Sequence, residues 1–252
     1  MKVLHIFNEL KFSGAEIMYV DAAKIFQDKG CQLTAVATGS QLGEYASSFE
    51  NAGYSLLHKP MPVIKNYLKR IRYYKEIIKY LKENSYDVVH IHSSAARWGF
   101  ALCAWLANVK SVYTFHNVFK SKKLTYLYHY SLRWSVKNIF KCTFHTISDS
   151  VYDNELKYYF NKTNKIYNWY NSFRFYLPTI EEKVANRIDL GIQEETLVLI
   201  SVGGCSPVKR HIDTIRLNPL MLKKKPITLY LHLGKGISEN TEAKLAEELG
   251  VL

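Results

Sequence analysis

Short runs of β-favouring apolar residues alternate with segments of helical spacing along the first 170 residues. The opening strand, Lys2–Phe7, is followed by apolar positions three and four residues apart over Ala15–Lys29, and Gly30 marks the end of that predicted helix. Further strands are predicted at Gln32–Thr38, Tyr54–His58, Asp87–His92, Ser111–His116, Thr143–Ile147 and Lys165–Trp169. Helices are predicted between them at Leu42–Asn51, Lys65–Lys82, Trp98–Ala107, Leu124–Phe140 and Val151–Phe160. This order predicts parallel β-α-β units with helices on both faces of one sheet.

The alternation breaks after residue 170 and then begins again. The break, at residues 171–179, predicts a linker between a Rossmann-like unit at 1–170 and a second, incomplete unit at 180–252. In the second unit the predicted helices are Ile180–Leu190, Val208–Leu217 and Asn240–Leu249, and the predicted strands are Leu197–Val202 and Ile227–Leu233. Pro219 is expected to interrupt the middle helix. Two parallel strands leave a sheet edge open, so we expect this unit to be less stable than the first.

Composition narrows the class of protein. The chain has 252 residues, of which 48% are hydrophobic, and this is enough apolar material for a sizeable core. Its four cysteines form no C-x-x-C pair, which argues against a disulfide framework or a zinc site and fits a reducing cytosol. The first residues lack the apolar core of a signal peptide, and the longest uncharged apolar stretch, Trp98–Val109, is too short to span a membrane.

The net charge of +12 lies entirely within residues 1–180. Such a surface suits nucleic acid, anionic lipid headgroups or a phosphorylated substrate. The chain has no finger, RRM or helix-turn-helix pattern, so nucleic acid is disfavoured. The basic helix at Lys65–Lys82 is equally well explained as a solvated face. The segment Lys120–Lys141 mixes cations with tyrosines and a tryptophan, which favours a headgroup layer. The predicted membrane-surface residues are Lys120, Lys122, Lys123, Arg133 and Lys137.

Three sequence sites fall where a doubly wound sheet places its ligands, just past the carboxyl ends of strands. The first is Ser13, Gly14, Ala15 and Glu16, where a glycine lets a ligand approach the start of a helix. The second is His116, at the end of a predicted strand. In the third, Gly203 and Gly204 follow an apolar strand and precede Lys209 and Arg210. Two cations in the first turn of a helix oppose its dipole, so a phosphate partner explains them better than stability does.

Several common catalytic motifs are absent from the sequence. There is no G-x-x-x-x-G-K-[ST], no G-x-G-x-x-G and no H-E-x-x-H. P-loop hydrolysis, dinucleotide-dependent redox chemistry and zinc proteolysis are therefore disfavoured. We find no cluster of metal ligands by spacing, and we expect neither a metal nor a cofactor.

Taken in order, the motifs resemble those of glycosyltransferase family 4, whose two-domain Rossmann architecture is called GT-B. SGAE at 13–16 resembles the family's Gly-Gly-x-Glu loop. DVVHIH at 87–92 and TFH at 114–116 resemble its Asp-x-x-His-x-His and Thr-x-His strands. The remaining matches are TISDS at 146–150, KIYNWYN at 165–171, ISVGGCSPVKRH at 200–211 and LHLGKG at 231–236.

This resemblance implies a retaining transfer of a sugar from a nucleotide-sugar, such as a UDP- or GDP-sugar, to a lipid-linked or polysaccharide acceptor. Residues 1–170 would form the acceptor-side domain and residues 180–252 the beginning of the donor domain. Residues 13–16 would bind sugar hydroxyls, His116 would face the reacting sugar, and Gly203, Gly204, Lys209 and Arg210 would hold the diphosphate. The protein would be cytoplasmic and bound peripherally to the inner face of the cytoplasmic membrane.

Three departures from the family pattern qualify this expectation. Gly204 replaces a common arginine, Ser172 replaces a linker glycine, and the family's paired-glutamate motif is not among these 252 residues. We therefore expect the 252-residue chain to show no turnover by itself. Two alternatives stay open: a non-catalytic partner that binds acceptor and membrane, and a sugar-nucleotide epimerase. The basic, aromatic segment Lys120–Lys141 disfavours the epimerase, because a soluble substrate needs no membrane surface.

Overall fold

The computed structural model describes residues 1–63, 65–170, 175–207 and 209–251. It divides into two compact units, Met1–Phe175 and Tyr176–Leu252. Residues 171–174 of the predicted linker at 171–179 lie outside the described part of the chain. They include Ser172 and also Asn171, the last residue of the KIYNWYN motif. Val208 lies outside it as well.

The first unit is built on one parallel sheet with the strand order β3-β2-β1-β4-β5-β6-β7. The strands are β1 (Lys2–Phe7), β2 (Gln32–Ala37), β3 (Ser55–His58), β4 (Val88–Ile91), β5 (Lys110–Phe115), β6 (Thr143–Thr146) and β7 (Asn164–Lys165). The helices are α1 (Gly14–Asp28), α2 (Ala46–Asn51), α3 (Tyr67–Glu83), α4 (Arg97–Leu106), α5 (Tyr126–Asn138) and α6 (Asp149–Asp153). This confirms the predicted α/β class with parallel strands.

Residues alternate between the two faces of the sheet, and each face has its own apolar core. Leu4 and Ile6 of β1 pack in the same cluster as Phe100 of α4, whereas Phe7 packs in the other cluster with Phe49 of α2. The strand order reverses at β1, which lies between β2 and β4. The carboxyl ends of strands at such a reversal border the crevice where doubly wound sheets bind ligands.

The second unit contains the parallel strands β8 (Leu197–Val202) and β9 (Thr228–Leu233), which pair along their whole length. Its helices are α7 (Ile180–Asp189), α8 (His211–Lys224) and α9 (Glu239–Glu248). Large apolar side chains of the sheet stay exposed, with Ile200 at 60% and Val202 at 77%.

Two predicted helix starts are wrong, and local backbone geometry explains both. The second helix begins at Ala46 rather than Leu42, because the backbone N–H of Leu10 donates to the Leu42 carbonyl and positive φ at Gly43 turns the chain. The helix predicted from Val208 begins at His211, because Arg210 has a left-handed backbone conformation with φ 55°.

Other element boundaries also differ from the sequence predictions. α8 continues through Pro219 to Lys224, with Ile215 and Asn218 buried on one face, so packing outweighs the hydrogen bond that proline cannot donate. The segment predicted as the helix Val151–Phe160 is α6 followed by a π-helical turn at Asn154–Tyr158. None of the helices in the described part of the chain has the length and apolar character that a bilayer span requires.

Candidate functional site

The turn between β1 and α1 presents an open helix N-terminus. Ser13 precedes the helix in an extended conformation, its carbonyl accepts from the Ile17 N–H at 2.9 Å, and its hydroxyl donates to the Glu16 carboxylate. Apart from its chain neighbours and the backbone of its own helix, no described residue has a heavy atom within 4 Å of the position that a Cβ on Gly14 would occupy. The first N–H groups of a helix have no partner inside the helix, so this space is suited to an anion or a sugar hydroxyl.

Glu16 is a buried carboxyl at this turn. Burial raises its pKa, and the hydrogen bond from Ser13 opposes that shift. The preceding loop is fixed by an ion pair of 2.6 Å between Lys11 and Glu9. Glu44 accepts a hydrogen bond of 3.2 Å from the backbone N–H of Phe12. Glu16 is therefore a buried hydrogen-bond acceptor in the first turn of α1, directly after this fixed loop.

His116 comes directly after β5 and ends a chain of imidazoles that runs back into the core. Its Nε2 lies 3.2 Å from Nδ1 of His92, and Nε2 of His92 lies 3.1 Å from Nδ1 of His5. Within the described residues, Nε2 of His5 has no hydrogen-bond partner. The pairing of β1 with β4 and of β4 with β5 brings these three histidines together at one edge of the sheet.

Burial keeps this histidine chain neutral. It lowers the pKa of His5 to about 3 and the pKa of His116 to about 4, and it lowers the pKa of His92 well below the ordinary value. His90 belongs to the same cluster and lies 2.8 Å, Nε2 to Oγ1, from Thr114. No role was predicted for His5 or His92, although a histidine within a mostly apolar strand was the available signal.

The glycine turns after β8 and β9 pack directly on each other. The backbone N–H of Cys205 donates to the Lys235 carbonyl at 3.2 Å, and the N–H of Ser238 donates to the Cys205 carbonyl at 3.1 Å. A Cβ on Gly234 would overlap the carbonyl group of Gly203. Only glycine permits this close approach, which exposes the backbone beside the predicted diphosphate loop.

The two predicted diphosphate cations have different surroundings. Both precede α8 rather than lying in its first turn. Arg210 is exposed but paired, with its Nε 2.5 Å from the Asp213 carboxylate. The Lys209 side chain is exposed and has no ion pair or hydrogen bond with any residue that the structure describes. The Cδ and Cε atoms of Lys209 lie 3.8 Å from the position of a Cβ on Gly203, so the end of this side chain lies beside the glycine turn.

Among the residues that the structure describes, two groups of side chains come close enough together to hold a metal ion. They are His5, His90 and His92 in the first unit, and Cys205, His232 and Glu242 in the second. Spacing along the chain could not reveal either group, because His5 lies on a different strand from His90 and His92, and the members of the second group are far apart in sequence.

One predicted membrane-surface residue is wrong. Arg133 is buried, and its guanidinium makes two-point contact with the Glu155 carboxylate, because α5 turns this position towards the interior. Lys137 is half-buried and lies 3.2 Å from the Asn161 side-chain oxygen. The other three, Lys120, Lys122 and Lys123, are exposed beside Leu124, whose side chain is fully accessible.

The first unit is a doubly wound parallel sheet with polar side chains at its carboxyl edge, and a second β-α unit follows it. This order of units is that of a Rossmann-type protein of the GT-B architecture. The chain belongs to Glycosyltransferase Family 4, whose model matches residues 12–174.

Individual relatives agree with this membership. Over 126 residues the chain is 27% identical to the capsular polysaccharide biosynthesis glycosyltransferase CapH of Staphylococcus aureus. That match spans 50% of this chain and only 33% of CapH. Among solved structures, HepE of Anabaena, determined in complex with UDP and glucose, has a TM-score of 0.78 at 18% identity and covers 100% of this chain and 67% of its own. A glycosyltransferase from Rickettsia africae has a TM-score of 0.76 at 18% identity, covering 99% of this chain and 65% of its own.

Proposed function

We propose that this protein transfers a sugar from a UDP- or GDP-sugar to a lipid-linked or polysaccharide acceptor in cell-surface glycan synthesis, with retention at the anomeric carbon. Family membership and the match to CapH support the reaction class, and the UDP and glucose in HepE support the donor class. The observation that carries the proposal is the free Lys209 ammonium beside the glycine turn.

Lys209 is the group best placed to neutralise a leaving diphosphate. Negative charge develops on that diphosphate as the glycosidic bond breaks, and a fixed cation at that point lowers the barrier. Arg210 already shares its charge with Asp213, so it contributes less. Gly203 and Gly204 leave room for the phosphates to approach the backbone.

His116 orients the sugar as a neutral hydrogen-bond donor. A neutral imidazole has one N–H and one bare nitrogen. If His116 donated to His92, the relay would end in a buried N–H on His5 with no acceptor among the described residues, which proteins rarely tolerate. The opposite direction leaves a bare nitrogen on His5 and frees the Nδ1–H of His116 to bond a sugar oxygen.

The open turn at 13–16 supplies further contacts to sugar hydroxyls. The first N–H groups of α1 donate, and the Glu16 carboxylate, held by Ser13, accepts. Burial raises the pKa of Glu16, and the hydrogen bond from Ser13 opposes that shift.

The protein would meet its acceptor at the inner face of the membrane, through a surface formed by the segment before α5 and the start of that helix. The exposed Lys120, Lys122 and Lys123 precede Leu124 in the chain, and both Leu124 and Leu127 are largely exposed. Cations that flank exposed leucines suit an anionic headgroup layer, in which the leucines enter the acyl boundary. A lipid-linked acceptor would be met on this surface.

Ligand-observed NMR tests the donor assignment, because saturation transfer detects weak binding without turnover. UDP and GDP should each receive saturation from the wild-type chain, and Lys209→Ala should remove most of the signal because the diphosphate loses its cation. Lys223→Ala, which removes an equally exposed lysine at the far end of α8, should leave the signal unchanged. A chain that binds liposomes but neither nucleotide would instead support the non-catalytic partner.

A further inference from the structure

A thiol, an imidazole and a carboxylate meet inside the second unit, and the sugar-transfer proposal does not use them. Cys205 follows β8, His232 lies on β9, and Glu242 lies near the start of α9. Cys205 and Glu242 are buried, and His232 is largely covered. One ligand atom from each residue lies within 4.8 Å of the other two.

The spacing of the three atoms matches a metal site. Cys205 Sγ lies 3.9 Å from His232 Nδ1, and His232 Nδ1 lies 3.5 Å from a Glu242 carboxylate oxygen. Around a tetrahedral Zn²⁺, ordinary bond lengths place sulfur about 3.6 Å from nitrogen and nitrogen about 3.3 Å from oxygen. Small shifts of side chains would therefore close the site around one ion.

The hydrogen bond that His232 makes through Nε2 leaves its Nδ1 free to bind a metal ion. Its Nε2 lies 3.0 Å from the Gly203 carbonyl, so that nitrogen carries the proton and donates it to the backbone. In the neutral ring Nδ1 is then the bare nitrogen, and it faces Glu242. A metal-binding histidine is commonly oriented in this way, with its other ring N–H donated to a carbonyl.

A buried carboxylate oxygen supplies an independent observation. Among the described residues, Oε2 of Glu242 is fully buried and has no hydrogen-bond partner. An unpaired carboxylate in the interior is costly unless a positive charge compensates it. The Cys205 thiol donates to the Gly234 carbonyl at 3.4 Å, and a neutral thiol brings no positive charge to the carboxylate.

We propose that Cys205, His232 and Glu242 bind Zn²⁺, with water as the fourth ligand. Binding forms the zinc–sulfur bond and releases the thiol proton to solvent. The ion joins the turn after β8 to β9 and α9, and so fixes the glycine turn that precedes Lys209. The role is structural, because the ion holds the glycine turn in place while Gly203, Gly204 and Lys209, and not its own ligands, make the proposed diphosphate contacts.

Cobalt titration of the full 252-residue chain, reduced and stripped of metal, tests the proposal. We expect one Co²⁺ per chain, a thiolate-to-cobalt charge-transfer band in the near ultraviolet, and displacement by Zn²⁺. Cys205→Ser should abolish that band. Cys142→Ser, a matched change at another buried cysteine in the first unit, should leave it intact.

A second variant guards against misfolding of the serine mutant. Glu242→Gln keeps the shape of the side chain and the thiol but removes the charge, and it should weaken cobalt binding at least about tenfold. Circular dichroism would establish that each variant is folded. Cobalt absorption without the charge-transfer band would place the metal on the histidines of the first unit and overturn the proposal. So would a band that survives Cys205→Ser, or the absence of binding, which would leave His232 and Glu242 as an ion pair.

Discussion

At the scale of single residues, the buried histidines give the first unit a definite pH response. His5, His92 and His116 lose charge on folding, since burial lowers the pKa of each. The unfolded chain therefore binds more protons than the folded chain between pH 6.5 and the folded values of about 3 and about 4. The free energy of unfolding should fall as the pH drops through this window, by up to about 1.4 kcal/mol per pH unit for each histidine.

Urea denaturation at a series of pH values measures this slope. His5→Phe replaces one titrating ring in an aromatic setting beside Phe7 and Tyr19, so it should reduce the slope by one histidine's share. His58→Gln changes an exposed histidine on β3 and should leave the slope unchanged. Equal slopes in the wild type and His5→Phe would contradict the neutral buried cluster.

Arg133 and Glu155 form a buried ion pair whose removal should be costly. Their side chains are 3% and 1% exposed, and the guanidinium lies 3.5 Å from the centre of the Tyr159 ring. Arg133→Met leaves a buried carboxylate without its cation, so unfolding should become easier by about 3–5 kcal/mol. Lys165→Met breaks an exposed pair with Asp149 and should cost less than about 1 kcal/mol. Similar losses from chemical denaturation of both variants would refute the distinction.

At the scale of secondary structure, the sequence predicted types of element better than their ends. Strands such as β1 and β8 are short and mostly apolar, so parallel strands could be predicted directly from the sequence. The start of α2 depends on backbone contacts between Leu10 and Leu42, which are distant in sequence. Likewise, no local pattern shows that Arg133 turns inward, because its partner Glu155 belongs to another element.

The candidate sites show the same limit. Ser13, Gly14 and Glu16 are close in sequence, and the structure places them at one turn. To predict the relay from His5 through His92 to His116, one must know the strand order, which places β1, β4 and β5 side by side. The group around Cys205 requires the packing of α9 against the turns after β8 and β9, which spacing cannot supply.

The exposed segment before α5 is the element expected to meet the membrane. Replacement of Lys120, Lys122 and Lys123 by Glu should strongly reduce co-sedimentation with anionic liposomes, because attraction to the headgroups becomes repulsion. The matched control replaces Lys223, Lys224 and Lys225, which are also exposed, with the same change of charge. Binding to neutral liposomes should be weak, and added salt should weaken binding to anionic ones. Equal loss in both triple variants would show that only net charge matters.

At the scale of the whole molecule, the two units should differ in independent stability. The first has seven strands and two apolar cores, whereas the second leaves Ile200 and Val202 of a two-stranded sheet exposed. A fragment of residues 1–175 should therefore unfold cooperatively on heating, and a fragment of residues 176–252 should melt at a lower temperature or without a sharp transition. A higher melting temperature for the smaller fragment would contradict this expectation.

The two proposed donor contacts, Lys209 with the diphosphate and His116 with the sugar, are tested most directly by histidine NMR during titration with UDP-glucose. His116 should begin as the neutral Nδ1–H tautomer at pH 7, and its signals, assigned with His116→Gln, should shift as the sugar binds. UDP alone should leave them in place, and Lys209→Ala should require a much higher UDP-glucose concentration for the same shift. A His116 signal that UDP-glucose does not move, or that moves equally in Lys209→Ala, would contradict the account.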